Sequence, residues 1–199
     1  MAEAPNTPQS QNIPQPPQNI VLTFCGQINP ASANKLRNAC SVAVNQKVQN
    51  LKILFTSTGG SIEDGFALYS FLRALPLSLT MHAIGSVESI APIIFLGAET
   101  RLATAESHFM IHQFAWPFLA QHYEKSQIKN ALESLERSQS RYIAILENRT
   151  LLTKQYLDGL NAFEKVAILS PTLAKEKGVI QEIAEPTIPA GWATYNIDL

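Results

Sequence analysis

The chain has 199 residues, and nowhere does it concentrate charge of one sign. Only 16% of its residues are charged, the net charge is −1, and it has no run of Lys or Arg. The electrostatic footprint of a nucleic-acid binder or a polybasic membrane anchor is therefore missing. Long apolar runs are missing too. The longest, Ile90 to Leu96, is far too short to cross a bilayer. The opening Met1-Ala2-Glu3-Ala4-Pro5 has neither the positive region nor the apolar region of a secretory signal, so a cytoplasmic location is expected. Cysteine is scarce. Cys25 in an expected strand and Cys40 on an expected helix read as two buried thiols in a reducing compartment rather than a disulfide.

What is present is apolar matter, 46% of the chain, enough for one substantial core. Residues 1–18, with five prolines and four glutamines, form a separate, flexible tail that buries too little to offset its own ordering entropy. A single domain is expected over 19–185, followed by an aperiodic tail, 186–199, that lies on a surface or a neighbour.

Within the domain, apolar runs alternate with helical stripes. Strands are expected at Asn19–Gly26, Leu51–Thr56, Leu79–Ile84, Arg101–Ala103, Phe109–His112 and Val179–Ala184. Asn29-Pro30 and Ser170-Pro171 pair a capping residue with proline at the first helical position. Ser61 opens a second helix, and Ser89 is read as the N-cap of a short apolar one. The alternation argues for parallel crossover units, an α/β fold. From Gln121 to Arg149 the residues Ile128, Leu132, Leu135, Gln139, Tyr142 and Leu146 recur at spacings of three and four, a long helix. Part of it is expected to project and bury its stripe against another subunit.

Three short segments carry chemistry. Gly59-Gly60 ends one strand, Ser89 follows another, and His112 ends a third, so all three fall on the carboxyl edge of a parallel sheet. A serine beside a helix N-terminus, a histidine and a pair of backbone N–H groups from Gly60 and Ile90 are the parts of an acyl-transfer site. The glycine pair is not a phosphate loop, since no Gly-Lys-Ser/Thr follows, and no ATPase of the chain's own is read. His108 and His112 are spaced like a metal pair only on a helix. On a strand they stand about 13 Å apart, so no metal is expected, and no cofactor either.

Thr56-Ser57-Thr58-Gly59-Gly60-Ser61-Ile62, Gly85-Ser86-Val87-Glu88-Ser89-Ile90-Ala91 and Met110-Ile111-His112-Gln113 resemble the proteolytic subunit of the Clp protease, the ClpP family of serine peptidases. The similarity runs from about Ile20 to Ile183. It implies a crotonase-like spiral of βαβ units with a long projecting handle helix. It also implies a homo-oligomeric ring, peptide or unfolded-protein substrates, and a separate unfolding ATPase as partner. By the same resemblance Ser89 is the nucleophile, His112 the base, and Gly60 and Ile90 the oxyanion hole.

The chain departs from that pattern at three places. Thr58 stands where the family has proline. Glu88-Ser89-Ile90-Ala91-Pro92 sets a carboxylate beside the nucleophile and a proline in its helix. The third triad member is out of place: counting back from Ser170 without a gap, the family's aspartate falls on Val166. Two extra residues bring Glu164 there instead, and a Ser-His-Glu triad is a known variant. Asp158 is a weaker candidate, and a chain with no acid at that position is the remaining alternative, a catalytically silent ring subunit.

Overall fold

The computed structural model describes residues 17–115, 119, 122–159, 162 and 164–197. The expected tail at 1–18 lies almost wholly outside the described residues. Among the described residues eight strands form one sheet, in which 167–169, 108–111, 78–88, 50–57, 19–25 and 193–196 lie side by side in that order, while 100–103 pairs with 78–88 and carries 182–183 on its other edge. The pairs are parallel throughout except 108–111 with 167–169.

The first crossover follows the sequence signals closely. β1 (Asn19–Cys25) leads to α1 (Pro30–Asn45), whose start is a full capping box between Asn29 and Ser32, and then to β2 (Asn50–Ser57). Ser61 caps α2 (Ile62–Arg73). Ile53, Phe55 and Ser57 of β2 point into the core while Lys52 and Thr56 remain half-exposed, so one face of the sheet carries the helices.

β3 (Ser78–Glu88) is five residues longer than the alternation predicts, one at its start and four at its end. It passes through Gly85 because its two halves have different partners. Thr80–Ala83 pair with β4 (Thr100–Ala103), and Ser86–Glu88 pair with β5 (His108–Ile111). Between them lies α3 (Ala91–Phe95), fully buried. The buried Arg101 guanidinium ties the ends of the fold together by donating to the carbonyls of Ala98, Val179 and Gly178. Burial, with Arg149 nearby, lowers its pKa to about 10.

The long helix is α4 (Lys125–Arg149), and its stripe divides in two. Tyr142 and Leu146 are buried in the domain, Leu135 and Gln139 are partly covered, and Ile128 and Leu132 are exposed at 50% and 55%. α5 (Lys154–Gly159) follows, then β6 (Ala167–Leu169), α6 (Pro171–Glu176) capped by Ser170, and β7 (Glu182–Ile183).

Two expectations are corrected here. The tail expected to be aperiodic carries a strand: β8 (Ala193–Asn196) pairs in parallel with Ile20–Thr23 and covers the edge of β1. Cys25 is exposed at the end of its strand, and both cysteines are free. Only Cys40 is buried, where desolvation raises its pKa to about 12. No helix among the described residues is long and apolar enough to cross a membrane.

Candidate active site

Ser89 does not cap the helix that follows it. Ile90 occupies the N-cap position of α3 and makes no side-chain capping bond. Ser89 instead adopts φ +61°, one of two non-glycine residues with positive φ among those described. That left-handed conformation costs about 1–2 kcal/mol for an L-residue and persists only where the surroundings impose it. Here they do. The Ser89 amide donates to the Met110 carbonyl at 3.0 Å, and the Tyr142 hydroxyl donates to the Ser89 carbonyl at 2.9 Å. Tyr142 is fully buried and desolvation raises its pKa, so its phenol stays protonated as a donor.

The glycine pair closes over the same turn. Gly59 has φ +86°, and a Cβ there would stand 2.6 Å from the Ser89 Cβ and 2.8 Å from the Glu88 carbonyl oxygen. Only glycine lets the two turns approach this closely. Gly60 has φ +142°, and a Cβ on it would collide with the Ile28 carbonyl oxygen. Ile28 bridges to this loop through the Gly59 carbonyl and the Ser61 amide, so the Gly60 N–H falls outside the bridge. The Ile90 N–H lies 3.3 Å from the position of a Gly59 Cβ. The Ile90 side chain is buried against Gly65 of α2, which fixes the direction of that N–H. The two amides expected to bind an oxyanion thus come from adjoining turns.

His112 lies one residue past β5, half-buried. Since Ser89 bonds to Met110 on the neighbouring parallel strand, the serine and histidine occupy the same edge of adjacent strands, although 23 positions separate them in sequence. The His112 Nδ1 lies 2.7 Å from the Gln113 carbonyl oxygen. A carbonyl only accepts, so this contact sets the proton on Nδ1 and leaves the Nε2 lone pair free.

The expected acid is not at the histidine. Glu164 is exposed and, among the described residues, makes no hydrogen bond or ion pair with His112. Asp158 is engaged by Lys154 at 2.7 Å. In the antiparallel pairing Ile111 faces Ala167, and one further step in that register sets Val166 opposite His112. Val166 is apolar and 52% exposed. A second imidazole–carboxylate pair stands nearby: His108 Nε2 lies 3.1 Å from Glu88 Oε1. No group of three or more metal-ligating side chains occurs among the described residues.

A groove of about 730 Å³ opens beside Gly60, between Ile62 and Glu63 of α2, Ala115 and the Leu135 and Ser138 positions of α4. A second, of about 430 Å³, lies across the 113–115 segment and includes Gln113, Leu132 and Asp158. Sequence reading singles out the serine, the histidine and the glycines but misses Tyr142, whose hydroxyl holds the Ser89 carbonyl. The available signal is a tyrosine in an apolar stripe, since its hydroxyl needs a partner once buried.

Comparison with known proteins agrees with the resemblance. The model of the family described as Clp protease matches residues 16–187. A Clp protease proteolytic subunit described as ATP-dependent, from Chlorella vulgaris, is 26% identical over 87% of this chain and 84% of its own length. One of the same description from Oltmannsiellopsis viridis is 25% identical over 82% of this chain and 83% of its own. Among solved structures, a mutant ClpP1 from Listeria monocytogenes superposes with a TM-score of 0.73 at 22% identity, covering 85% of this chain and 92% of that one.

Proposed function

The chain belongs to the Clp protease family, and from that premise we propose that it is a serine-type endopeptidase subunit hydrolysing peptide bonds through an acyl-enzyme on Ser89. The observation that carries this reading is the strained, over-determined backbone of Ser89 at +61°, closed against Gly59. Such strain at a strand-to-helix turn is the usual way to present a nucleophilic hydroxyl.

In this reading Ser89 Oγ attacks the scissile carbonyl and its proton passes to His112 Nε2. The Gly60 and Ile90 N–H groups receive the developing oxyanion. His112 then returns the proton to the leaving amine, and water releases the acyl group by the reverse sequence. The Gln113 carbonyl holds the tautomer that this requires. It stabilises the imidazolium less than a carboxylate does, because it lacks the full charge. The roughly 10⁴-fold loss on removing a triad charge belongs largely to a wrong tautomer. With the tautomer preserved here, a smaller deficit is expected. The groove beside Gly60 receives the side chain that precedes the scissile bond.

The exposed Ile128 and Leu132 support assembly of copies through α4, a homo-oligomeric ring. Degradation of folded substrates then depends on an unfolding ATPase from another chain. The proposed setting is cytoplasmic, and the proposed chemistry needs no cofactor.

A fluorophosphonate probe tests the reading. Wild type is expected to label, and Ser89→Ala to remain folded and unlabelled; a labelled mutant overturns the assignment. Among the described residues no acid is bonded to His112, which favours a second reading, a catalytically silent ring subunit. That reading predicts unlabelled wild type and stable co-assembly with an active paralogue.

A further inference from the structure

Glu88, His108, Met110 and His112 share one side of the β3–β5 strand pair. Glu88 is in register with Met110, and side chains alternate along a strand, so His108 and His112 are its two diagonal neighbours. Strand spacing and rise put each diagonal at about 8 Å between Cβ atoms, within the combined reach of a glutamate and an imidazole. The carboxylate sits on His108 at 3.1 Å, with Glu88 only 18% exposed along its side chain. The position across from His112 on the other side is apolar Val166. Glu88 thus has an imidazole on each diagonal and is bonded to that of His108, while among the described residues no acid is bonded to His112.

From this juxtaposition we propose that Glu88 is the positioning acid of His112, exchanging between His108 and His112 by a side-chain swing. The inference rests on the reading of His112 as the base. When His112 takes the Ser89 proton it becomes a cation, and a carboxylate within a few ångströms stabilises that form. Glu88 takes no proton itself. His108 holds the carboxylate while His112 is neutral and releases it as the charge appears. Besides these groups, the charged side chains of the surrounding described segments include Glu164 and Lys165 before β6, and Glu136 and the Lys154–Asp158 pair in the groove that includes Gln113.

The test is a proton titration of the full-length protein labelled at the histidine Cε1, which gives four signals, assigned by single histidine substitutions. Glu88→Gln is expected to lower the His112 midpoint, while Glu164→Gln leaves it unchanged. His108→Ala, which frees Glu88 without removing it, is expected to raise the midpoint. Retained His82 and His122 signals report an intact fold. If neither Glu88→Gln nor His108→Ala moves His112, the proposal is wrong and Glu88 serves His108 alone. Probe labelling of Ser89, measured on the same samples, decides the peptidase reading separately. An unlabelled wild type sinks that reading and leaves the titration to judge Glu88.

Discussion

The turn at Ser89 and the strand end at His112 are neighbours, but they are held in very different ways. Ser89 is fixed from three directions: its amide by Met110, its carbonyl by buried Tyr142, and its Cβ by the glycine at 59. Among the described residues His112 makes one hydrogen bond, to the carbonyl of the residue that follows it. The geometry of the Ser89 turn is imposed by packing, whereas the His112 ring is oriented by a local, neutral hydrogen bond. If Ser89 and His112 act as proposed, the attacking group is the more firmly held of the two, and the rate is expected to be limited at the proton acceptor.

Four measurements sharpen or break that contrast. The largest effect is expected from Gly59→Ala, whose methyl would press on the Ser89 Cβ and the Glu88 carbonyl. Displacing the nucleophile by an ångström lowers turnover about a hundredfold, and the forced positive φ lowers stability in urea unfolding. Wild-type activity in this variant would show that the Ser89 turn is not tightly imposed. Next is Val166→Asp, made in the Glu88→Gln background. An exposed site tolerates the change, and a charged acceptor across from His112 raises kcat about tenfold, the difference between a neutral and a charge-assisted hydrogen bond. No gain would mean that the base is not the weak point.

Tyr142→Phe removes the donor to the Ser89 carbonyl and leaves the ring packed against Phe114. It is expected to cost about 1 kcal/mol in stability and a few-fold in kcat, with KM unchanged. The smallest effect concerns His82, buried mid-strand with Nε2 2.9 Å from the Ala184 carbonyl oxygen. Desolvation, the main cause, depresses its pKa below the usual histidine value. The unfolded chain therefore binds the proton more readily. His82 contributes full stability above about pH 6.5, and that contribution declines as the pH falls from there toward the folded pKa. Urea midpoints at pH 7.5 and pH 5 should show a decline that His82→Gln reduces.

Much of this molecule is legible in the residues alone. Asn29-Pro30, Ser61 and Ser170-Pro171 state where helices begin, because a capping side chain and a proline act on the next turn of chain and need nothing distant. The alternation of apolar runs and stripes gives the parallel α/β order, and that order brings residues 60, 89 and 112 to one edge.

Other features depend on partners far away in the chain. β3 runs on to Glu88 because β5 pairs with its second half, and β8 exists because β1 had an open edge. Neither leaves a local signal. The same holds for Ser89: residues 85–91 read as a capped helix start, and only Met110, Tyr142 and Gly59 together drive it to positive φ. The acid shows the division most plainly. An alignment with two residues inserted can bring a glutamate to the histidine, but the β5–β6 register sets Val166 there, because strand pairing fixes neighbours by backbone hydrogen bonds whatever the side chains are. Local signals specified the elements, and long-range pairing and packing decided which side chains meet.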